Sequence, residues 1–283
     1  MKKVLITGGN GLVGNYLNRI FDGKNYSVFS FNKEVLDITN IKKSFEIFKN
    51  IKPEVVIHLA ALTDVDFCEK NPEKAFLVNS QGTENIAKLS YDFNCFLIYL
   101  STDFIFDGLK NSPYSEKDLP NPINIYGKSK LLGEKYIMNN CKKYLIIRTS
   151  RIFGKVGKNF SSKLKEIIRE RKEIFLTTDV INSPTYALDL SNCIFKLMEM
   201  DFCGIINVCN EGWCSFFDFG NKMKEILKLD TEIKGINFDD FSKKYGIIAK
   251  RPKFSALSID LLNSLNIKMD SWETSLKKFL EEE

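Results

Sequence analysis

The chain has 283 residues, enough for one large domain or two small ones, and its 44% hydrophobic and 27% charged residues are those of a protein that buries a core. The 41 basic and 36 acidic residues are interspersed and leave only +5, which excludes a nucleic-acid stripe or a membrane-binding face. A single histidine, His58, excludes a multi-histidine metal site and leaves little scope for a Ser-His-Asp triad, so no metal is expected.

Taken in chain order, the first half alternates short apolar runs with helical patterns. The runs at 4–6, 28–31, 55–59, 96–100 and 145–147 lack strict polar alternation, as strands buried on both faces of a parallel sheet do. Between the first two, Leu12, Val13, Tyr16, Leu17, Ile20 and Phe21 form an apolar stripe at helical spacing. Asn71-Pro72 reads as an N-cap followed by proline at the first helical position, opening a long helix toward Phe93. This alternation predicts a doubly wound α/β sheet with right-handed crossovers. His58 lies on the third strand and reads as a packed residue, not as an acid or base.

The second half is more mixed. Phe160, Leu164, Ile167 and Ile168 mark a helix, and Ser183-Pro184 breaks the chain before another through Leu190, Ile194 and Leu197. A strand-like run at 205–208 precedes Ser215, an N-cap with Asp218 three residues on, and a helix to about Leu227. The segment 229–257 carries no clear period, and an amphipathic helix closes near Phe279. The expected division is a nucleotide-binding domain over 1–150 and a smaller α/β substrate domain over 151–283, with about 174–200 returning to the first. Seven cysteines without a C-x-x-C pair argue for free thiols in a reducing compartment. The apolar run behind Met1-Lys2-Lys3 stops at Thr7-Gly8-Gly9, too short for a leader or a span, so a cytoplasmic protein is expected.

Thr7-Gly8-Gly9-Asn10-Gly11-Leu12-Val13-Gly14 sits between the first strand and the first helix. Gly8, Gly11 and Gly14 give G-x-x-G-x-x-G, and Gly9, Gly11 and Gly14 give G-x-G-x-x-G. Glycines permit a tight turn and close backbone approach, and the helix start then offers free N–H groups to a pyrophosphate. After the second strand Ser30-Phe31-Asn32-Lys33 lacks the carboxylate that would hold an NAD ribose, and Lys33 suits a 2′-phosphate. NADPH is therefore expected, with NADH the alternative. Asp37 stands either near the adenine or in a turn of its own.

Tyr126-Gly127-Lys128-Ser129-Lys130 places a phenol and an amine four residues apart on one helix face. An ammonium beside a phenol lowers its pKa, and such a tyrosine can give its proton to a carbonyl oxygen as hydride reaches the carbon. Ser101-Thr102-Asp103 ends the fourth strand, where open α/β sheets bind ligands, and Thr102 is placed to polarise a carbonyl.

With these motifs assembled, the chain resembles the dTDP-4-dehydrorhamnose reductase family of the extended short-chain dehydrogenases/reductases, which have a Rossmann domain. The likeness runs over nearly the whole chain, most specifically through Ser101 to Gly108 and Ser183-Pro184-Thr185-Tyr186-Ala187. It implies Thr102, Tyr126 and Lys130 as the catalytic set and places Thr102 and Asp103 against the sugar. It implies cofactor contacts from Asn10, Gly11, Leu12, Asp37, Ile38, Ala61, Thr63, Tyr126 and Lys130, to which Gly8, Val13, Gly14 and Ala60 are added from the turn and the third-strand loop. The chain departs from the family where Arg151 follows Arg148-Thr149-Ser150 in place of tryptophan, and where Phe104 replaces tyrosine. A guanidinium suits an anionic or more polar substrate group, so Arg151 joins the expected substrate contacts. The implied reaction is reduction of the C4 keto group of a nucleotide-linked 4-keto-6-deoxy sugar for surface polysaccharide synthesis. The expected partner is a nucleotide sugar, with neither nucleic acid nor membrane and with a homodimer left open. Two alternatives stand beside it: a nucleotide-sugar epimerase or dehydratase, and a non-catalytic regulatory subunit resembling the methionine adenosyltransferase beta subunit.

Overall fold

The structure, a computed structural model, describes residues 1–156 and 159–281. Its first half runs β1 (Lys2–Thr7), α1 (Leu12–Phe21), β2 (Tyr26–Phe31), α2 (Ile41–Ile51), β3 (Val55–His58), α3 (Val65–Lys70), α4 (Pro72–Phe76), α5 (Thr83–Asp92), β4 (Phe96–Thr102), α6 (Ile125–Asn140) and β5 (Tyr144–Thr149). A sixth strand, Gly204–Asn207, joins the edge beside β5, and every pairing in this sheet is parallel. The strand order from that edge is sixth, β5, β4, β3, β1, β2, so the order turns back at β1, which pairs with β2 on one side and β3 on the other. Ligands bind outside the strand C-termini at such a reversal.

Absence of polar alternation in the strands follows from their double cover. Val4 and Ile6 of β1 enter one core with Val13 and Leu17 of α1 and Leu190 and Ile194 of the helix Ala187–Glu199. Leu5, between them, enters the opposite core with Phe48 of α2, Ile86 of α5 and Ile137 of α6. A separate cluster, including Phe153, Leu164, Phe219, Trp272 and Phe279, builds a lobe beyond the strand ends. The helix Phe216–Leu227 of this lobe opens with the expected capping box between Ser215 and Asp218.

Two readings differ from the structure. The long helix from Pro72 is interrupted: Leu77–Gly82 is π-helical between α4 and α5, and the Asn71 side chain caps nothing there, donating instead to the Phe67 carbonyl at 2.9 Å. In this wider turn the side chains of Asn79 and Ser80 bond outside the helix, to Leu62 and Ser129. The segment 229–257, unreadable by period, holds a strand Glu232–Ile236 parallel to Glu173–Thr177 and a helix Phe238–Tyr245. Among the described residues no helix is long and apolar enough to cross a membrane, and no group of three or more His, Cys, Asp or Glu is placed to hold a metal.

Candidate active site

The glycine turn closes where β1 ends. Gly8 has φ 69° and donates no room: a Cβ there would lie 2.8 Å from the Ala60 nitrogen, and one at Gly14 would lie 2.5 Å from the Gly9 carbonyl oxygen. Gly11 N–H donates to the Gly8 carbonyl at 2.9 Å, and α1 then starts at Leu12 and Val13 with no side chain capping its first turn. Those N–H groups remain for an anion, and Asn10 and Gly11 are exposed beside them. The Ser30 hydroxyl at the end of β2 is buried without a partner and faces the turn at Gly9. This cradle fits a dinucleotide pyrophosphate.

Around it, the other expected cofactor residues occupy different roles. Lys33 is exposed beyond β2. The Asp37 carboxylate accepts from Thr39 N–H at 3.0 Å and from its hydroxyl at 2.7 Å, which lowers its pKa and closes a turn after β2. Ile38 is buried against Gly82. Ala60 N–H donates to the Thr7 hydroxyl at 3.2 Å, while Ala61 and Thr63 line the accessible loop after β3. Asn79 holds that loop: its amide oxygen accepts from Leu62 N–H at 2.8 Å, and its Nδ2 donates to the Leu62 carbonyl and the Ser129 hydroxyl, both at 3.0 Å. The π-helical turn thus ties the cofactor loop to the helix that carries Tyr126 and Lys130.

That helix, α6, begins at Asn124, whose side chain accepts from Gly127 N–H at 2.8 Å and donates to the Lys250 carbonyl at 2.9 Å. Glu69 of α3 accepts from Ile125 N–H at 3.0 Å. Tyr126 is therefore in a first turn fixed from three directions, with its ring edge-on to Phe104 at 5.9 Å. Burial is the first cause that pushes the Tyr126 pKa up, with the Asp103 carboxylate adding to it and the Thr102 hydroxyl opposing it. The expected lowering by Lys130 is not what the structure shows. Lys130 donates instead to the Leu100 carbonyl at 2.8 Å and lies 4.0 Å over the Tyr99 ring, and burial pushes its pKa down to about 7 against the pull of Glu134. For reduction this is the useful state, because the phenol stays loaded with the proton it must give.

Thr102 accepts from Phe104 N–H and donates to Asp103, both at 3.2 Å. Asp103 is buried, and desolvation raises its pKa to about 6 despite hydrogen bonds from Ser255 and Thr102. Arg151 adopts φ 35°, a strained conformation for a side-chain-bearing residue. Its guanidinium lies 3.7 Å from the Phe216 ring and donates to the Ser215 carbonyl at 3.2 Å, while its buried Nε has no partner. No carboxylate pairs with it within 4.0 Å among the described residues. The Asn182 amide oxygen, on the strand that pairs with Cys214, is likewise buried without a partner.

Sequence reading missed Asn79, Asn124, Ser255 and Glu134. Glu134, four residues after Lys130, and Asn124, an N-cap three residues before Gly127, carried local signals; Asn79 and Ser255 are recognisable only once distant segments meet.

A family model described as RmlD substrate binding domain matches residues 1–283. The chain belongs to this family. Among its relatives, the spore coat polysaccharide biosynthesis protein SpsK of Bacillus subtilis is 34% identical, over 100% of this chain and 98% of that protein. The dTDP-4-dehydrorhamnose reductase of Aggregatibacter actinomycetemcomitans is 31% identical over 98% of each. A crystal structure of dTDP-4-dehydrorhamnose reductase from Bacillus anthracis, in complex with NADP, superposes with a TM-score of 0.96 at 37% identity, covering 100% of both chains. In this member of the RmlD family, the glycine cradle, the cofactor loop and the Tyr126–Lys130 helix converge at one end of the sheet.

Proposed function

We propose that the protein is a cytoplasmic NADPH-dependent reductase of the C4 keto group of a nucleotide-linked 4-keto-6-deoxy sugar, with dTDP-4-dehydrorhamnose the first substrate to try. The observation that carries this reading is a proton-loaded Tyr126 beside Lys130 and Thr102, at the strand ends next to an uncapped, glycine-lined helix start. Free thiols at all seven cysteines and a substrate made from nucleotide precursors support the compartment.

The turn from Gly8 to Gly14 would hold the pyrophosphate, with Lys33 and Ser30 toward the adenosine end and Ala60, Ala61 and Thr63 along the loop. When bound, the reduced nicotinamide supplies the hydride that goes to C4. Tyr126 gives its phenolic proton to the carbonyl oxygen, so that the ketone becomes an alcohol and the phenol a phenolate. Thr102 positions that oxygen, and Lys130 as an ammonium stabilises the phenolate and anchors the ribose. Arg151 and Asp103 would face the sugar side, where a guanidinium held by backbone carbonyls and without a carboxylate partner favours a polar or anionic substituent. Residues 151–156, 159–186 and most of 209–281 would form the substrate lobe, while 187–208, together with Leu262, Ile267 and Met269, would belong with the nucleotide-binding sheet.

The test is NADPH and NADH oxidation across dTDP-, UDP- and GDP-linked 4-keto-6-deoxy sugars. Tyr126→Phe is expected to lose ~10²–10⁴-fold in turnover while still binding NADPH. Turnover near that of the parent enzyme would sink this mechanism, and no oxidation with any of the sugars would sink the reaction.

A further inference from the structure

Behind Lys130 lies a buried charge that the reaction as described does not use. Glu134 follows Lys130 by four residues, so both project from one face of α6. Arg148 of β5 grips its carboxylate as a fork, Nη2 at 2.8 Å from one oxygen and Nε at 3.2 Å from the other. Ser101, the residue before Thr102, donates to the same carboxylate. The two charged side chains are 0% and 3% exposed. A buried ion pair is weak ground for stability, since packed apolar residues commonly serve as well. Its use is therefore to be sought in what it faces.

Lys130 meets the Tyr99 ring and the Leu100 carbonyl of β4 and lies within electrostatic reach of His58 of β3 and of Glu134 on its own helix. His58 is held neutral, and Tyr99 and Tyr126 are held as phenols by burial. Asp103 lies toward Tyr126 and Arg151. Glu134 is the carboxylate that favours the charged form of Lys130. Resting on the reductase reading above, we propose that Glu134, clamped by Arg148 and Ser101, is a positioning residue that supplies the counter-charge for Lys130, keeping it an ammonium while Tyr126 gives up its proton. The same clamp fixes α6 against the ends of β4 and β5, and so fixes Tyr126 against Thr102. The alkaline limit of the reaction is then set by Lys130 under the control of Glu134, with Tyr126 titrating beyond it.

Two variants test this: Glu134→Gln, and Glu134→Gln with Arg148→Met, which removes the guanidinium that the single change leaves buried and unpaired. Lysine carrying ¹³C at Cε is titrated by NMR without cofactor or substrate, and the Lys130 signal is identified by its loss in Lys130→Met. The expected result is a Lys130 midpoint lower by ~1 pH unit or more in both variants, with the alkaline arm of kcat/KM moving down equally and the acid end unmoved. A midpoint unchanged in a folded variant, or a rate lowered equally at every pH, overturns the proposal. The titration needs no substrate. A lowered midpoint in a protein that reduces none of the sugars overturns the reductase reading alone.

Discussion

At Tyr126 the chemistry depends on where the phenol is held as much as on its acidity. Gly127, the next residue, packs against the segment after β4 so closely that a Cβ would lie 2.0 Å from the Phe104 carbonyl oxygen. That atom is backbone and cannot swing aside, so Gly127→Ala must push the first turn of α6 away from Thr102. A displacement of about 1 Å at a reacting group costs on the order of 10²-fold, and kcat is expected to fall by that order. NADPH affinity, read by fluorescence titration, is expected to fall much less than kcat, because the glycine cradle is on another element and α6 contributes only the ribose contact of Lys130. An unaltered kcat would show that Tyr126 tolerates this shift and that the Phe104 contact does not set its position.

The elements differ in what their ends do. Asn124 and Ser215 are both N-caps whose side chains accept from the backbone three residues on, at 2.8 and 3.0 Å. Replacing either with alanine is expected to cost ~1 kcal/mol in urea unfolding. Only Asn124→Ala is expected to lower kcat as well, because its helix carries Tyr126 and its amide also binds the Lys250 carbonyl. Equal kcat in the two variants would separate the cap from the chemistry. The Ser215–Asp218 box was legible in sequence because both partners lie within four residues. The π-helical turn at Leu77–Gly82 was not, since what stabilises it is Asn79 bonding Leu62 and Ser129, 17 and 50 residues away. The sheet was legible for a related reason: strands covered on both faces carry apolar runs without strict polar alternation, and five of its six show such runs in sequence. The sixth, Gly204–Asn207, was seen as a strand, but its place beside β5 depends on a crossover that no local pattern encodes. For the site, residue types at Thr102, Tyr126 and Lys130 were readable by spacing, whereas their protonation was not, because it is set by burial.

Across the whole molecule, two buried groups should shape stability against acid in opposite directions. His58, 0% exposed between the hydroxyls of Thr7 and Thr83 at 2.7 and 3.1 Å, is pushed down from 6.5 to about 3, first by burial and then by Lys130. Below pH ~6.5 the unfolded chain takes up a proton that the fold refuses, so His58 lowers stability by about 1.4 kcal/mol per pH unit until pH ~3. Asp103 is raised from 3.8 to about 6 by burial, so between those values the fold takes up the proton first and stability grows as pH falls. The two slopes oppose each other between pH ~6 and ~4, and the parent protein is expected to hold a nearly constant urea midpoint there. Below that window Asp103 no longer compensates, and Asp37, Asp66, Asp107 and Asp118, all held below the ordinary carboxylate value, begin to lose their favourable ionised contacts. His58→Gln removes one slope and Asp103→Asn the other. On acidification from pH ~6 to ~4 the first is expected to gain ~2–3 kcal/mol relative to its own value at pH 6, and the second to lose about as much. Midpoints that move in parallel in the two variants would mean that neither group carries the acid response. Opposite slopes would show that one histidine in the third strand and one carboxyl at the end of the fourth together set how far the fold tolerates acid.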